Sequence, residues 1–168
     1  MRVAVTGTPG TGKTTATDRL STSLDVVHLN EVIKREELTT GRDEERDTLV
    51  TDVEAVAEWL DGREDVLFES HLAHHFDADR VVVLRAHPET IEDRLAERGE
   101  SQRSVAENAE SEALDVILAE AVDRHGEERV YEIETTDLTP DETAAAIQSV
   151  IDGERDPSAG EVSYVDYL

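Results

Sequence analysis

The residues best suited to chemistry form the segment Gly7-Thr8-Pro9-Gly10-Thr11-Gly12-Lys13-Thr14. This segment fits the pattern G-x-x-x-x-G-K-[ST], in which backbone N–H groups cradle phosphates. Its glycines allow the tight turn that directs those groups at an anion. Lys13 supplies a mobile positive charge for the outer phosphates, and the Thr14 hydroxyl is suited to ligate Mg²⁺. The spacing therefore predicts a site for a nucleoside triphosphate and Mg²⁺.

Two elements must position this loop, and the sequence predicts both. The apolar residues 3–5 read as a buried parallel strand before the loop. Residues 15–24 read as a helix after it, with Ala16, Leu20 and Leu24 on one face. The positive end of that helix would add to anion binding. The alternative is a glycine-rich turn that only resembles the motif, and the order strand, loop, helix argues against it.

A second acidic group follows another predicted strand. Glu69 stands at the carboxyl end of residues 65–69, where its carboxylate could hold Mg²⁺ through a water molecule. If the strand continued, His71 would share a face with Glu69 near the phosphates. The alternatives are a carboxylate that merely ends a strand and an ordinary loop histidine. We interpret the neighbouring pair His74-His75 as surface residues without a metal, because no Cys, Asp or Glu pattern accompanies it.

Arginines could supply the remaining positive charge. Arg94 and Arg98 lie four residues apart on one helix face that leads into residues 99–103. Together with Arg103 they would form a short lid that closes over the triphosphate. Arg35 could bind the phosphate of an acceptor. The alternative for each arginine is an exposed ion pair with a neighbouring glutamate.

The predicted fold class is α/β, a three-layer sandwich of the P-loop NTPase type, because strands alternate with helices. The five parallel strands are predicted at residues 2–6, 25–29, 65–69, 80–85 and 129–134. We expect one domain over residues 1–152, with an acceptor-binding segment at about 29–52 and a lid at about 97–107, followed by a tail over 153–168. We also expect a helix capped by Asn30 and a loop over 39–47, after which Leu49 and Val50 touch the core. Asp52 should cap another helix, which places Trp59 in the core. One long helix is expected over about 105–124.

The composition restricts the surroundings and partners of the chain. Its 168 residues carry 41 Asp and Glu against 16 Lys and Arg, a formal charge of -25. Only two of the basic residues are lysines. Acidic residues are spread along the whole chain, which predicts a halophilic protein from a salt-rich cytoplasm, where the repulsion is screened. Direct non-specific binding to nucleic acid is not expected at this charge. The chain has no cysteine, and neither a membrane span nor a signal peptide is predicted.

The ordered set of motifs resembles nucleoside monophosphate kinases. It is most similar to the small adenylate kinase family of archaea and the eukaryotic nucleus, over about residues 2–150. The matching segments are Thr6-Gly7-Thr8-Pro9-Gly10-Thr11-Gly12-Lys13-Thr14-Thr15, Arg35-Glu36-Glu37 with Gly41-Arg42-Asp43-Glu44-Glu45, Val83-Leu84-Arg85, and Arg94-Leu95 with Arg98-Gly99. One departure is Glu69-Ser70-His71, where eukaryotic members have Asp-x-His.

The resemblance implies transfer of the terminal phosphate of ATP to AMP, giving two ADP, with Mg²⁺ as cofactor. It assigns the ATP phosphates to Gly10, Gly12, Lys13, Thr14, Thr15 and Arg98, the AMP phosphate to Arg35, the metal to Thr14 and Glu69, and the placing of the attacking group or a water to His71. The catalytic set is then Lys13, Glu69, His71 and Arg98. The resemblance also implies slow ATP hydrolysis and a role in small ribosomal subunit maturation through a basic ribosomal protein. We expect a cytoplasmic monomer.

Two other functions stay open at this point. The first is an ATPase switch for ribosome assembly, which needs the nucleotide loop, Glu69 and His71 but no competent acceptor site. The second is a kinase for a small metabolite such as shikimate, which shares the fold. Base selectivity leaves little trace in the sequence.

Overall fold

A computed structural model describes residues 1–46 and 48–168. In chain order the strands are β1 (Arg2–Gly7), β2 (Asp25–His28), β3 (Thr39–Asp43), β4 (Thr48–Thr51), β5 (Val66–Glu69), β6 (Arg80–Arg85) and β7 (Val130–Glu134). The helices are α1 (Lys13–Thr17), α2 (Leu29–Arg35), α3 (Val53–Leu60), α4 (Pro88–Glu97), α5 (Gln102–Ala113), α6 (Val116–His125) and α7 (Pro140–Ile151). One-turn 3₁₀ helices occur at Ala73–His75, Glu127–Arg129 and Val165–Tyr167.

The predicted five-stranded parallel sheet is confirmed, with the strand order β2-β5-β1-β6-β7. Its strands are nearly continuous apolar runs because helices cover both faces. One apolar cluster, which includes Phe68 and Leu60, packs on one side of the sheet, and a second, which includes Leu67 and Ile147, packs on the other. Trp59 is half-buried against the first cluster, as predicted. This layering brings the carboxyl ends of β1, β2 and β5 to one edge of the sheet.

Three helix predictions need correction. The helix after the nucleotide loop is short: α1 ends at Thr17, and a turn leads to Leu24, which is still buried. Helix α2 begins at Leu29, so Asn30 lies inside it and does not cap it. The long helix over residues 105–124 is two helices, because Asp115 adopts a left-handed conformation with φ 55° between α5 and α6.

Residues 39–47 were predicted to form a loop, but Thr39–Asp43 form β3, which pairs with β4 in an antiparallel hairpin. Asp47 lies outside the described residues. The side chains of Leu49 and Val50 were expected to touch the core, yet they are 55% and 44% exposed. The predicted cap of α3 is confirmed, since Asp52 accepts a hydrogen bond from the Ala55 backbone N–H at 3.1 Å.

The C-terminal tail packs on the edge strand β7. The backbone N–H of Ser158 donates to the Val130 carbonyl at 2.9 Å, and the Glu132 N–H donates to the Ser158 carbonyl at 2.8 Å. Tyr164 is buried, with its ring 5.4 Å from the guanidinium carbon of Arg85. The tail therefore satisfies backbone groups that an open sheet edge would leave unpaired.

Within the described part of the chain, no helix has both the length and the apolar character needed to cross a bilayer.

Candidate active site

The nucleotide loop runs from β1 to α1 in a conformation that requires glycine at two points. Gly7 has φ +148°, and a Cβ there would lie 2.6 Å from the carbonyl oxygen of Leu84 on β6. Gly12 is left-handed, with φ +92°, and precedes the first residue of α1. These constraints explain why the sequence pattern has glycine at the two positions.

Lys13 is buried inside this loop. Its Nζ donates hydrogen bonds to the carbonyl oxygens of Gly7 at 2.8 Å and Thr8 at 3.2 Å. Burial lowers the pKa of Lys13 to about 8, although the nearby Glu69 carboxylate opposes that shift. The ammonium group is therefore held within the loop by weak backbone acceptors, which a phosphate could replace with a stronger charge-assisted contact.

Glu69 ends β5 with a nearly fully buried carboxylate. Its Oε1 accepts a hydrogen bond from the Thr14 hydroxyl at 3.0 Å. The same oxygen lies 2.8 Å from Nδ1 of His28, the last residue of β2, and the other nitrogen of His28 lies 2.8 Å from Asp18. Burial alone would lower the pKa of His28, but Glu69 and Asp18 raise it above its usual value.

His28 was not predicted as a site residue. The signal lay in the pairing of β2 with β5, because His28 and Glu69 are partners in the parallel register and each ends its strand. That register follows only once the strand order is known.

His71 reaches the same cavity by a different route from the one predicted. Strand β5 stops at Glu69, and the chain turns before the 3₁₀ helix Ala73–His75. His71 still lines the cavity with Lys13 and Glu69. Burial, and then the charge of Lys13, lower the pKa of His71 to about 4. The imidazole is therefore neutral near pH 7, where it both donates and accepts a hydrogen bond.

Lys13, Thr14, Glu69 and His71 line one cavity of about 620 Å³. Its lining residues also include Gly10, Gly12, Thr15 and Arg98. Within residues 1–46 and 48–168, no carboxylate pairs with Arg98, in contrast to Arg103. Arg94 donates to the Gly10 carbonyl at 2.9 Å, and Arg103 donates to Glu107 at 3.0 Å.

Besides a cavity of about 670 Å³ at the lid, which shares Thr48, Arg98, Glu100 and Ser104 with it, two further cavities adjoin this one. A cavity of about 190 Å³ shares Gly12 and Thr15 with it and extends toward Thr135 and Leu138. A cavity of about 410 Å³ shares Asn30 and Thr48 with it and lies between α2 and the β3–β4 hairpin. We refer to them as the outer cavity and the hairpin cavity, and to the central one as the phosphate cavity.

The structure does not bring Arg35 into the phosphate cavity. Its Nε donates to Glu36 at 3.2 Å, and its side chain is 62% exposed. The neighbouring Lys34 lines the hairpin cavity instead, together with Ile33 and Leu49.

The interpretation of His74-His75 as a surface pair is wrong for His74. His74 is 1% exposed, and its Nδ1 lies 2.8 Å from the Thr6 hydroxyl on β1. Its Nε2 lies 2.7 Å from Oε2 of Glu120 on α6. The acidic partner that the local sequence lacks is supplied by a helix 46 residues farther along the chain.

Comparison with known proteins shows the family of this chain. The AAA domain family model matches residues 3–115. Proteins named "Putative adenylate kinase" are 61% identical in Natronomonas pharaonis, over the full length of both chains, and 43% identical in Methanosarcina acetivorans, over 90% of this chain and 87% of that one. This chain belongs to that archaeal kinase family and carries an AAA domain. It is therefore a nucleotide-binding phosphotransferase of the P-loop type.

The solved structures that resemble this kinase do so in fold only. A shikimate kinase from Acinetobacter baumannii in complex with shikimate superposes with a TM-score of 0.66 at 17% identity, covering 92% of this chain and 94% of that one. A deoxyadenosine kinase from M. mycoides with bound dATP gives a TM-score of 0.55 at 13% identity, covering 90% of this chain and all of that one. At these identities the α/β kinase fold is shared, and the acceptor is not specified.

Proposed function

We propose that this kinase transfers the terminal phosphate of ATP to AMP and forms two ADP. One observation carries the proposal: the phosphate cavity shares Gly12 and Thr15 with the outer cavity and Asn30 and Thr48 with the hairpin cavity. Two nucleotides can then reach the nucleotide loop from two different cavities. The names of the archaeal relatives support adenylate as the acceptor.

In this proposal the outer cavity holds the base of ATP. Leu138 and Pro140 offer apolar contacts there, and Thr135 and Thr143 offer hydroxyls. The ATP phosphates then lie on the loop, held by Gly10, Gly12, Lys13, Thr14 and Thr15. Arg98 binds them from the lid, and its lack of a carboxylate partner among the described residues supports this role.

The hairpin cavity holds AMP. Ile33 and Leu49 present apolar surface to it, and the exposure of Leu49 is explained if a flat base covers that side chain. Lys34 lines this cavity, and Arg35 follows it at the end of α2. We propose that Arg35 leaves Glu36 and binds the AMP phosphate, because an arginine can bind a phosphate through two parallel hydrogen bonds.

The residues around Glu69 fit Mg²⁺. Thr14 and Glu69 present oxygen ligands, the type that this ion prefers, at the end of β5 beside Lys13. Bound there, Mg²⁺ would neutralise charge that develops on the phosphate oxygens. His28 would orient the Glu69 carboxylate, while Lys13 and Arg98 stabilise the transferring group. Neutral His71 would accept a hydrogen bond from a water or from the attacking group and place it.

A second role, in small ribosomal subunit maturation with slow ATP hydrolysis, is supported by the net charge of -25, which suits a basic ribosomal protein as partner. We propose this role alongside the kinase activity, for a monomer in a salt-rich cytoplasm. Isothermal titration of the ribosomal protein in molar KCl would test it, and loss of binding in a variant with acidic surface residues neutralised would support it.

The deciding experiment measures ADP formation from ATP with AMP, CMP, UMP, GMP or shikimate, in molar KCl with Mg²⁺. Turnover with AMP well above the others supports the proposal. Preferred turnover of shikimate would favour the metabolite kinase. Phosphate release that no acceptor accelerates would favour the ATPase switch. The variant Arg35→Ala separates AMP phosphorylation from ATP hydrolysis, because it should reduce AMP turnover and leave hydrolysis intact.

A further inference from the structure

A cluster of two histidines and a glutamate lies beside β1 and includes none of the residues used above. His74 and His75 belong to the 3₁₀ helix Ala73–His75, and Glu120 lies on α6. One ligand atom from each residue lies within 4.8 Å of the other two. The kinase reaction proposed above uses none of these three side chains.

We propose that His74, His75 and Glu120 bind a divalent transition metal, with Zn²⁺ as the ion they fit best. Two imidazole nitrogens and one carboxylate are a ligand set that zinc takes, with a fourth position left for water. This site is distinct from the Mg²⁺ position at Thr14 and Glu69, because Mg²⁺ prefers oxygen ligands.

The distances agree with a shared ion. Zinc binds imidazole nitrogen and carboxylate oxygen at about 2.0–2.2 Å, so tetrahedral ligands are separated by about 3.3 Å. Oε2 of Glu120 lies 2.7 Å from Nε2 of His74 and 3.9 Å from Nε2 of His75. These two separations need to change by less than about 1 Å, and a ligand nitrogen of each histidine lies within 4.8 Å of the other. Binding replaces the hydrogen bond between His74 and Glu120 with two metal bonds.

Neighbouring residues orient His74 in the way that metal-ligating histidines are usually oriented. A ligating imidazole is normally oriented by a hydrogen bond at its other ring nitrogen. Nδ1 of His74 has such a partner in the Thr6 hydroxyl at 2.8 Å, and a hydroxyl can accept from Nδ1–H once Nε2 binds metal. His125 fixes the backbone of the same residue, because its Nε2 lies 2.7 Å from the His74 carbonyl oxygen.

The cluster is open to solvent and lies next to the nucleotide loop. His74 is buried, but the side chains of His75 and Glu120 are 35% and 49% exposed, so an ion can enter from solvent. Thr6 directly precedes Gly7, the first glycine of the nucleotide loop. A metal ion here would link α6 to the turn that supports this loop.

The test is a titration of the metal-free protein with Co²⁺ in molar KCl and excess Mg²⁺, followed by displacement with Zn²⁺. Excess Mg²⁺ occupies the oxygen sites of so acidic a surface. We expect one Co²⁺ per chain, with the strong visible absorption of four-coordinate cobalt, and X-ray absorption of the Zn²⁺ form should show two imidazole ligands at about 2.0–2.1 Å. His75→Asn and Glu120→Gln should each weaken binding at least about tenfold.

Two variants serve as controls. His87→Asn removes the histidine that caps α4 and that is not part of the cluster, and this variant should bind Co²⁺ as the parent does. Glu69→Gln should also keep the site, and loss of Co²⁺ binding in that variant would mean that the ion lies in the phosphate cavity. Equal binding by the parent, His75→Asn and Glu120→Gln, or no tight binding by the parent, would overturn the proposal. Circular dichroism of each variant verifies folding.

Discussion

Nδ1 of His28 lies 2.8 Å from Oε1 of Glu69, so the last residues of two neighbouring parallel strands contact each other. Both nitrogens of His28 face carboxylates, since Nε2 meets Asp18. A carboxylate only accepts hydrogen bonds, so the protonated imidazole suits this position best. The carboxylate proposed to hold Mg²⁺ is thus oriented by a histidine rather than left to solvent.

We predict that His28→Asn lowers the rate of ADP formation by about 10–100-fold at limiting Mg²⁺, because Glu69 loses the contact that orients it. Excess Mg²⁺ should restore part of the rate. Initial rates over a series of Mg²⁺ concentrations measure this effect, with His87→Asn as the matched histidine control. A loss that is equal at all Mg²⁺ concentrations would instead indicate a role in the chemical step.

For the lid, we predict that Arg98→Ala lowers kcat by about 100-fold or more, because a positive charge directed at the transferring phosphate stabilises the transition state. Arg103→Ala is the matched control, since Arg103 is already paired with Glu107. Its effect should stay within about fivefold, as expected for an exposed ion pair worth at most about 1 kcal/mol. Steady-state kinetics with ATP and AMP compares the two, and equal losses would contradict the assignment of Arg98.

Arg85 should be essential for stability. It is 1% exposed, and its guanidinium donates to Glu112 and Glu132 at 2.7 Å each. Burial by itself would lower the pKa of Arg85, but Glu112 and Asp115 raise it above its usual value. Arg85→Met leaves those carboxylates buried without a counter-charge and should lower the free energy of unfolding by about 3–5 kcal/mol.

Denaturant unfolding of Arg85→Met in molar KCl measures that loss. The control is Arg63→Met, whose guanidinium lies 3.7 Å from the Trp59 ring at the surface and should contribute only about 0.5–1 kcal/mol. Similar losses in the two variants would show that the buried cluster around Arg85 adds little.

Salt should stabilise the whole protein. With a formal charge of -25, repulsion disfavours the compact state, and at about 1 M salt the Debye length falls to about 3 Å. The midpoint of thermal unfolding should therefore rise as KCl is raised from about 0.1 M to 1 M. NaCl and choline chloride at the same ionic strength should give the same rise, and a rise with KCl alone would point to bound potassium rather than screening.

The sheet and the nucleotide loop could be predicted because their signals are local. Buried parallel strands are apolar runs, and the loop pattern is defined by adjacent residues, so all five strands and the order strand, loop, helix were recovered. The β3–β4 hairpin escaped prediction because its apolar residues do not alternate toward a core. Leu49 and Val50 are exposed, and Leu49 lines the hairpin cavity.

The parts of the site that were missed depend on contacts between distant segments. His28 meets Glu69 across 41 residues, and His74 meets Glu120 across 46. Nothing in the residues around either histidine specifies such a partner, because the partner follows from strand order and helix packing. For the same reason the burial of Arg85 was not predicted, since its charge is matched by residues from α5 and β7.

The scarcity of lysine has a chemical consequence for this molecule. The chain has two lysines, Lys13 in the phosphate cavity and Lys34 in the hairpin cavity. Reagents that acylate amines react with the neutral form, and burial lowers the pKa of Lys13 to about 8. Apart from the terminal amine, every site of amine modification therefore lies on a cavity proposed to hold a substrate, so the pattern of labelling should report on which cavity is occupied.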